Sequence, residues 1–132
     1  MVSSPIYVQN ELPETKDLRS YLTSILDRAV DTLDRVPIRR PTAEILAAAA
    51  GSRQIADVFA ATLAQVQAET VRRIELARAA GELRPDADAQ LLLDLLNGAL
   101  YYRLLWRGEK MNRSDVVQLV DSVLRGVAAE EP

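Results

Sequence analysis

The sequence predicts an all-α protein of about five helices, packed as an antiparallel bundle. Three observations predict this class. Apolar residues recur three or four apart along most of the chain, which gathers them on one side of a helix. No alternating period-two run is present, nor an Asn-Gly or Asp-Gly hairpin turn. Glycine and proline punctuate the periodic stretches at Pro37, Gly51, Gly81, Pro85, Gly108 and Gly126, where helices are expected to stop. A chain of 132 residues is expected to form one domain, with residues 14–126 as its helical body.

Residues 1–13 read as an irregular segment broken by Pro5 and Pro13, and residues 127–132 as a loose tail. The first helix is expected from Glu14, with Leu18, Leu22, Ile25, Leu26, Ala29, Leu33 and Val36 on its apolar side and Pro37 as its stop. A short alanine-rich helix, Thr42 to Ala50, should end at Gly51. Ser52 is a suitable cap for a long third helix, Arg53 to Ala80. Ile55, Phe59, Thr62, Leu63, Val66, Thr70, Ile74 and Ala77 mark one face of that helix. Gly81 fits the left-handed position past its end, with Leu83 packing back on the last turn.

Asp86 is expected to cap a fourth helix running from Ala87 to Arg107. Its only polar strip, Gln90, Asp94, Asn97 and Tyr101, is about 60° wide on a helical wheel. Leucines, Tyr102 and Trp106 fill most of the remaining circumference. Such a helix needs cover on two sides, one from its own domain and one most simply from a second copy of the chain. The wheel does not decide which side faces the partner. Asn112, with Asp115 three residues on, resembles a capping arrangement for a last helix reaching Arg125.

The composition excludes much chemistry. Histidine and cysteine are both absent, which removes the commonest general base, the commonest metal ligand and any thiolate or disulfide. No phosphate-cradling glycine loop occurs, and most acidic residues lie beside arginines on polar helix faces, as in Asp27-Arg28 and Asp34-Arg35. No catalytic residue, metal or cofactor is therefore expected, and the chain reads as a non-enzyme. The net charge of −3 gives no pull toward nucleic acid or anionic lipid, and Arg39-Arg40 and Arg72-Arg73 read as isolated surface doublets. No direct nucleic-acid contact and no membrane partner are expected. Lacking a signal pattern, a long apolar run and cysteine, the chain reads as cytoplasmic.

Three groups admit two readings. Arg103 lies within the apolar arc of the fourth helix and needs acceptors: Asp121, a helix end, a partner chain or an anchored ligand. Tyr102 and Trp106, four apart, are either core or the wall of a cavity with polar handles. Thr62, Gln67 and Thr70 are either helix-boundary positions or pocket-lining polar groups.

Three stretches carry a family resemblance: Ala77-Arg78-Ala79-Ala80-Gly81-Glu82-Leu83-Arg84-Pro85-Asp86-Ala87-Asp88, then Asn97-Gly98-Ala99-Leu100-Tyr101-Tyr102-Arg103-Leu104-Leu105, and Val120-Asp121-Ser122-Val123-Leu124-Arg125-Gly126. With Leu12-Pro13-Glu14-Thr15-Lys16-Asp17-Leu18, they resemble the C-terminal domain of the tetracycline-repressor (TetR) family of bacterial transcriptional regulators. The resemblance spans about Pro13 to Gly126 and is densest from Ala77 to Asp88.

It implies that the last two helices form a four-helix bundle with their mates in a homodimer, and that the first three helices and the inner side of the fourth enclose an effector pocket. It also implies an N-terminal helix-turn-helix domain, which nothing in this sequence matches. The residues expected at the dimer interface are Leu92, Leu96, Leu100, Arg103, Val116, Val120, Val123 and Leu124. Those expected to line a pocket for a small apolar or amphipathic effector are Leu26, Leu33, Phe59, Leu63, Val66, Leu95, Tyr102 and Trp106. The function expected is ligand sensing and dimerisation for a TetR-like regulator; the alternative is a helical dimerisation module without a ligand.

Overall fold

The computed structural model describes residues 17–34 and 36–126, with side chains throughout except at 36–39. The expected irregular start at 1–13, the helix start at Glu14 and the tail at 127–132 lie outside the described residues. Among these residues there are five α-helices and no strand.

Helix α1 is Leu18–Leu33, opened by the Asp17 carboxylate, which accepts the Ser20 N–H at 2.7 Å. It ends at the cap Asp34, whose N–H reaches the Val30 carbonyl at 2.9 Å, earlier than the expected stop at Pro37. Helix α2 is Val36–Gly51, not the shorter Thr42–Ala50. Proline explains the difference. Pro37 stands in the first turn of α2, where a missing N–H costs no helical bond, so it opens a helix instead of only ending one. Pro41 lies inside α2 and removes a single bond on an exposed stretch, and the helix continues through it.

Helix α3 is Arg53–Ala79, 27 residues capped by Ser52, whose hydroxyl accepts the Ile55 N–H at 3.2 Å. At 1.5 Å per residue it is about 40 Å long. Its end is a Schellman turn: the Glu82 N–H bonds the Ala77 carbonyl (2.9 Å) and the Gly81 N–H bonds the Arg78 carbonyl (3.1 Å). Gly81 takes φ +85°, and Leu83 packs back on the core as expected.

Helix α4 is Ala89–Tyr101, capped by Asp88 accepting the Leu91 N–H at 3.0 Å, not by Asp86. Asp86 faces Arg84 instead, at 3.5 Å. A widened π-helical turn, Tyr102–Trp106, extends α4, with the Arg107 N–H bonded to the Tyr102 carbonyl at 2.8 Å. Helix α5 is Arg113–Arg125, and the expected capping arrangement is a full capping box. Asn112 accepts the Asp115 N–H at 2.8 Å, and Asp115 accepts the Asn112 N–H at 3.1 Å.

The core lies between α1, the C-terminal half of α3, α4 and α5. Leu22, Ile74, Leu96, Leu100, Leu104, Val116 and Val120 are enclosed almost completely. Each such side chain contributes roughly 1.5–3 kcal/mol by leaving water. Ion pairs at the rim tie α1 to α5: Arg19 with Asp121, and Arg113 with Asp27 at 2.7 Å.

Candidate functional site

Helix α4 shows two apolar faces. Leu93, Leu96, Leu100 and Leu104 point into the protomer and are at most 5% exposed. On the opposite side Leu91 is 56% exposed, Leu95 52%, Tyr102 55% and Trp106 81%. The widened turn carries Trp106 to this outer side while Leu104 stays inside. A run of large apolar side chains open on one helix face marks a candidate interaction site.

Of the eight residues expected at the dimer interface, four are enclosed by their own chain and four are partly open. Leu96, Leu100, Val116 and Val120 are wholly enclosed by their own chain. Leu92, Val123 and Leu124 are half-buried and pack against that same core. Arg103 is half-buried and pairs with Asp115 at 3.5 Å, an acceptor not among those expected. Asp121, which was among them, is taken by Arg19 and by Arg125 at 3.2 Å. A fully enclosed leucine has no surface to offer a partner, so the open side of α4 is the one carrying Leu91, Leu95, Tyr102 and Trp106.

The residues expected to line a pocket fall into three places. Leu26 and Leu33 are core residues of α1. Leu95, Tyr102 and Trp106 stand on the outer side of α4. Phe59 and Leu63 are half-buried and Val66 is exposed on the N-terminal half of α3.

That half of α3 has its own pattern. Its inner stripe is covered from Thr70 through Ile74 to Ala77 and open at Ile55 and Val66, with Ile45 of α2 also exposed. The stripe is continuous in sequence, but only half of it is covered by the described residues. Thr62 is exposed and bonds its hydroxyl to the Val58 carbonyl at 2.9 Å, while Gln67 is half-buried.

A polar layer closes the covered half. Thr70 is buried, with its hydroxyl 3.5 Å from that of Tyr21. Arg73 is 7% exposed and lies over the Tyr21 ring, 4.2 Å from its centre. The reading of Arg72-Arg73 as a surface doublet therefore holds for Arg72 alone. Arg73 falls on the inner stripe with Thr70, Ile74 and Ala77, at the three- and four-residue spacing that could have revealed it. Arg72 faces outward and bonds Glu69 through Nε at 2.9 Å and Nη2 at 2.6 Å, which holds the Glu69 carboxyl below its ordinary pKa.

Among the described residues, one open surface groove is lined in part by Asp27, Arg28, Asp31, Asp34 and Arg113, and another in part by Glu75, Arg78, Pro85 and Gln90. Neither is lined by any of the eight residues expected in a pocket. Among the described residues no group of three or more acidic side chains is placed to hold a metal ion, and no helix is long and apolar enough to cross a membrane.

Residues 12–123 match the family of tetracyclin repressor-like C-terminal domains. Over 49 residues, 37% of this chain, the sequence is 43% identical to YdeS of Bacillus subtilis (strain 168), an uncharacterized HTH-type transcriptional regulator. The fold matches the crystal structure of the TetR family transcription regulator SCO0332 with a TM-score of 0.78 and 35% identity, over 89% of this chain. The matched region is 25% of the Bacillus protein and 65% of the solved chain, so this chain spans less than two thirds of either relative. The all-α bundle, its capped final helices and the match over 12–123 agree: the chain belongs to the tetracycline-repressor-like C-terminal domain family of transcription regulators.

Proposed function

We propose that this domain pairs with a second copy through the outer face of α4 and senses a small apolar or amphipathic effector along the uncovered half of α3. The observation that carries the pairing is the double-faced α4, with leucines sealed on one side and Leu91, Leu95, Tyr102 and Trp106 open on the other. The effector would lie against Ile55, Phe59, Leu63 and Val66, where an apolar stripe runs out of cover. An effector that binds one arrangement of the α2–α3 limb more tightly shifts the population toward it, and the limb's junction with α1 passes the change to the bundle. In a whole regulator this would alter the spacing of two DNA-reading parts.

A second reading, a pairing module with no small ligand, is favoured by the open, charged character of the two grooves. Trp106 separates the outcomes, because it is the only tryptophan. Under the proposal its emission is shielded from acrylamide at micromolar concentration and becomes accessible on dilution. Apolar and amphipathic compounds that raise the melting temperature support sensing; a broad set that leaves it unmoved supports the second reading. Trp106 emission fully accessible at every concentration would contradict the pairing.

A further inference from the structure

Gly98 sits within the open face of α4 for no reason its own chain supplies. It is exposed, its φ is not left-handed, and a Cβ placed on it would meet nothing within 4 Å. Glycine is a poor helix-interior residue, since it orders a freer backbone and contributes no side chain. What it permits is close approach of another backbone.

Its neighbours on the outer face make that approach specific. Leu91, Leu95, Gly98 and Tyr102 follow at intervals of four, three and four residues, the 3.5-residue spacing by which one helix presents a seam to another. The widened turn then brings Trp106, not Leu105, onto the open side. The seam is lopsided in size, with leucines before Gly98 and aromatics after it.

On the reading that α4 pairs with a second copy, we propose that two α4 helices cross antiparallel beside Gly98, with the twofold axis between Gly98 and Ala99. This order sets Leu95 against the Tyr102 position of the other copy and Leu91 against its Trp106 position. Each large ring then meets a leucine, because Leu95 and Tyr102, and likewise Leu91 and Trp106, lie equally far along the sequence from a point between Gly98 and Ala99. A parallel order would stack aromatic on aromatic at one end and splay the helices there. In a twofold contact the same patch serves both copies, so one missing side chain opens the centre twice. The four open side chains leave on the order of 500 Å² per copy, taking about 200 Å² for each whole side chain. Two copies would thus hide on the order of 1,000 Å², the lower bound of a specific interface.

The absence of cysteine in the chain makes the register directly readable. A disulfide needs Cα atoms within about 7 Å. Leu95→Cys and Tyr102→Cys chains, mixed and mildly oxidised, should cross-link, and each alone should not. Cross-linking of Leu95→Cys with itself, with no Leu95→Cys to Tyr102→Cys species formed in the mixture, would overturn the antiparallel crossing. In sedimentation, Gly98→Leu should weaken pairing by about 100-fold with an unchanged circular-dichroism spectrum, as overpacking a close contact does. Gly98→Ala should raise the melting temperature of the separated chain while weakening pairing. A wild-type dimer that Gly98→Leu leaves equally tight overturns the Gly98 crossing alone; a wild-type chain that never pairs overturns the pairing reading with it.

Discussion

The Arg73 guanidinium lies over the Tyr21 ring, 4.2 Å from its centre, and joins the C-terminal half of α3 to the first turn of α1. Both residues are nearly enclosed, at 7% and 5% exposure, so the contact is made away from water, where a cation and a ring attract most strongly. The layer also marks where the inner stripe of α3 passes from covered to open.

Replacing Arg73 by alanine should therefore cost about 2 kcal/mol, from the lost ring contact and the packing of its stem. Urea denaturation measures it. Arg73→Lys, which keeps the charge but not the planar group, should lie between wild type and alanine.

Two glycines on opposite sides of Pro85 should respond to alanine with opposite signs. Gly81 closes the Schellman turn at φ +85°, and a Cβ there costs about 1 kcal/mol. Gly98 is helical with open space around it, and alanine should stabilise the isolated fold by about 0.5–1 kcal/mol. Thermal melts of the two variants, taken where the chain is not paired, show both signs.

The capping box at the start of α5 should be worth about 1 kcal/mol, read as the loss on Asn112→Ala. By contrast, the Arg19–Asp121 pair bridges α1 and α5 with both side chains more than a third exposed. A double-mutant cycle there should give less than about 1 kcal/mol and shrink in salt.

Acid should act weakly through Glu69. Its folded pKa is depressed by the hydrogen bonds from Arg72, so its contribution is present above the unfolded carboxylate pKa and is lost as pH falls through the folded value. Both side chains are about half exposed, and solvent screens the pair to below about 0.5 kcal/mol. Denaturation of wild type and Glu69→Gln at neutral and acid pH should differ only by that amount.

Helix number, the Ser52 cap, the Gly81 turn and the Asn112–Asp115 box were legible in the sequence, because caps and turns are local chemistry. The two apolar sides of α4 were legible as well. Which side faces in was not, since leucine fills both, and only the direction of α1 and α5 around the helix decides that Leu96 and Leu100 are sealed. Arg73 was hidden by its own charge beside Arg72. The start of α2 was hidden because Pro37 serves equally to end one helix and open the next. The widened turn at Tyr102–Trp106 had no sequence signal that the periodicity could report.

If the outer face of α4 belongs against a second copy, sedimentation equilibrium of the chain across the micromolar range should return a mass of about twice the 14.6 kDa chain. That mass should fall toward the single-chain value when Leu95 is replaced by glutamate. A mass of 14.6 kDa at every concentration for the unaltered chain would contradict the pairing.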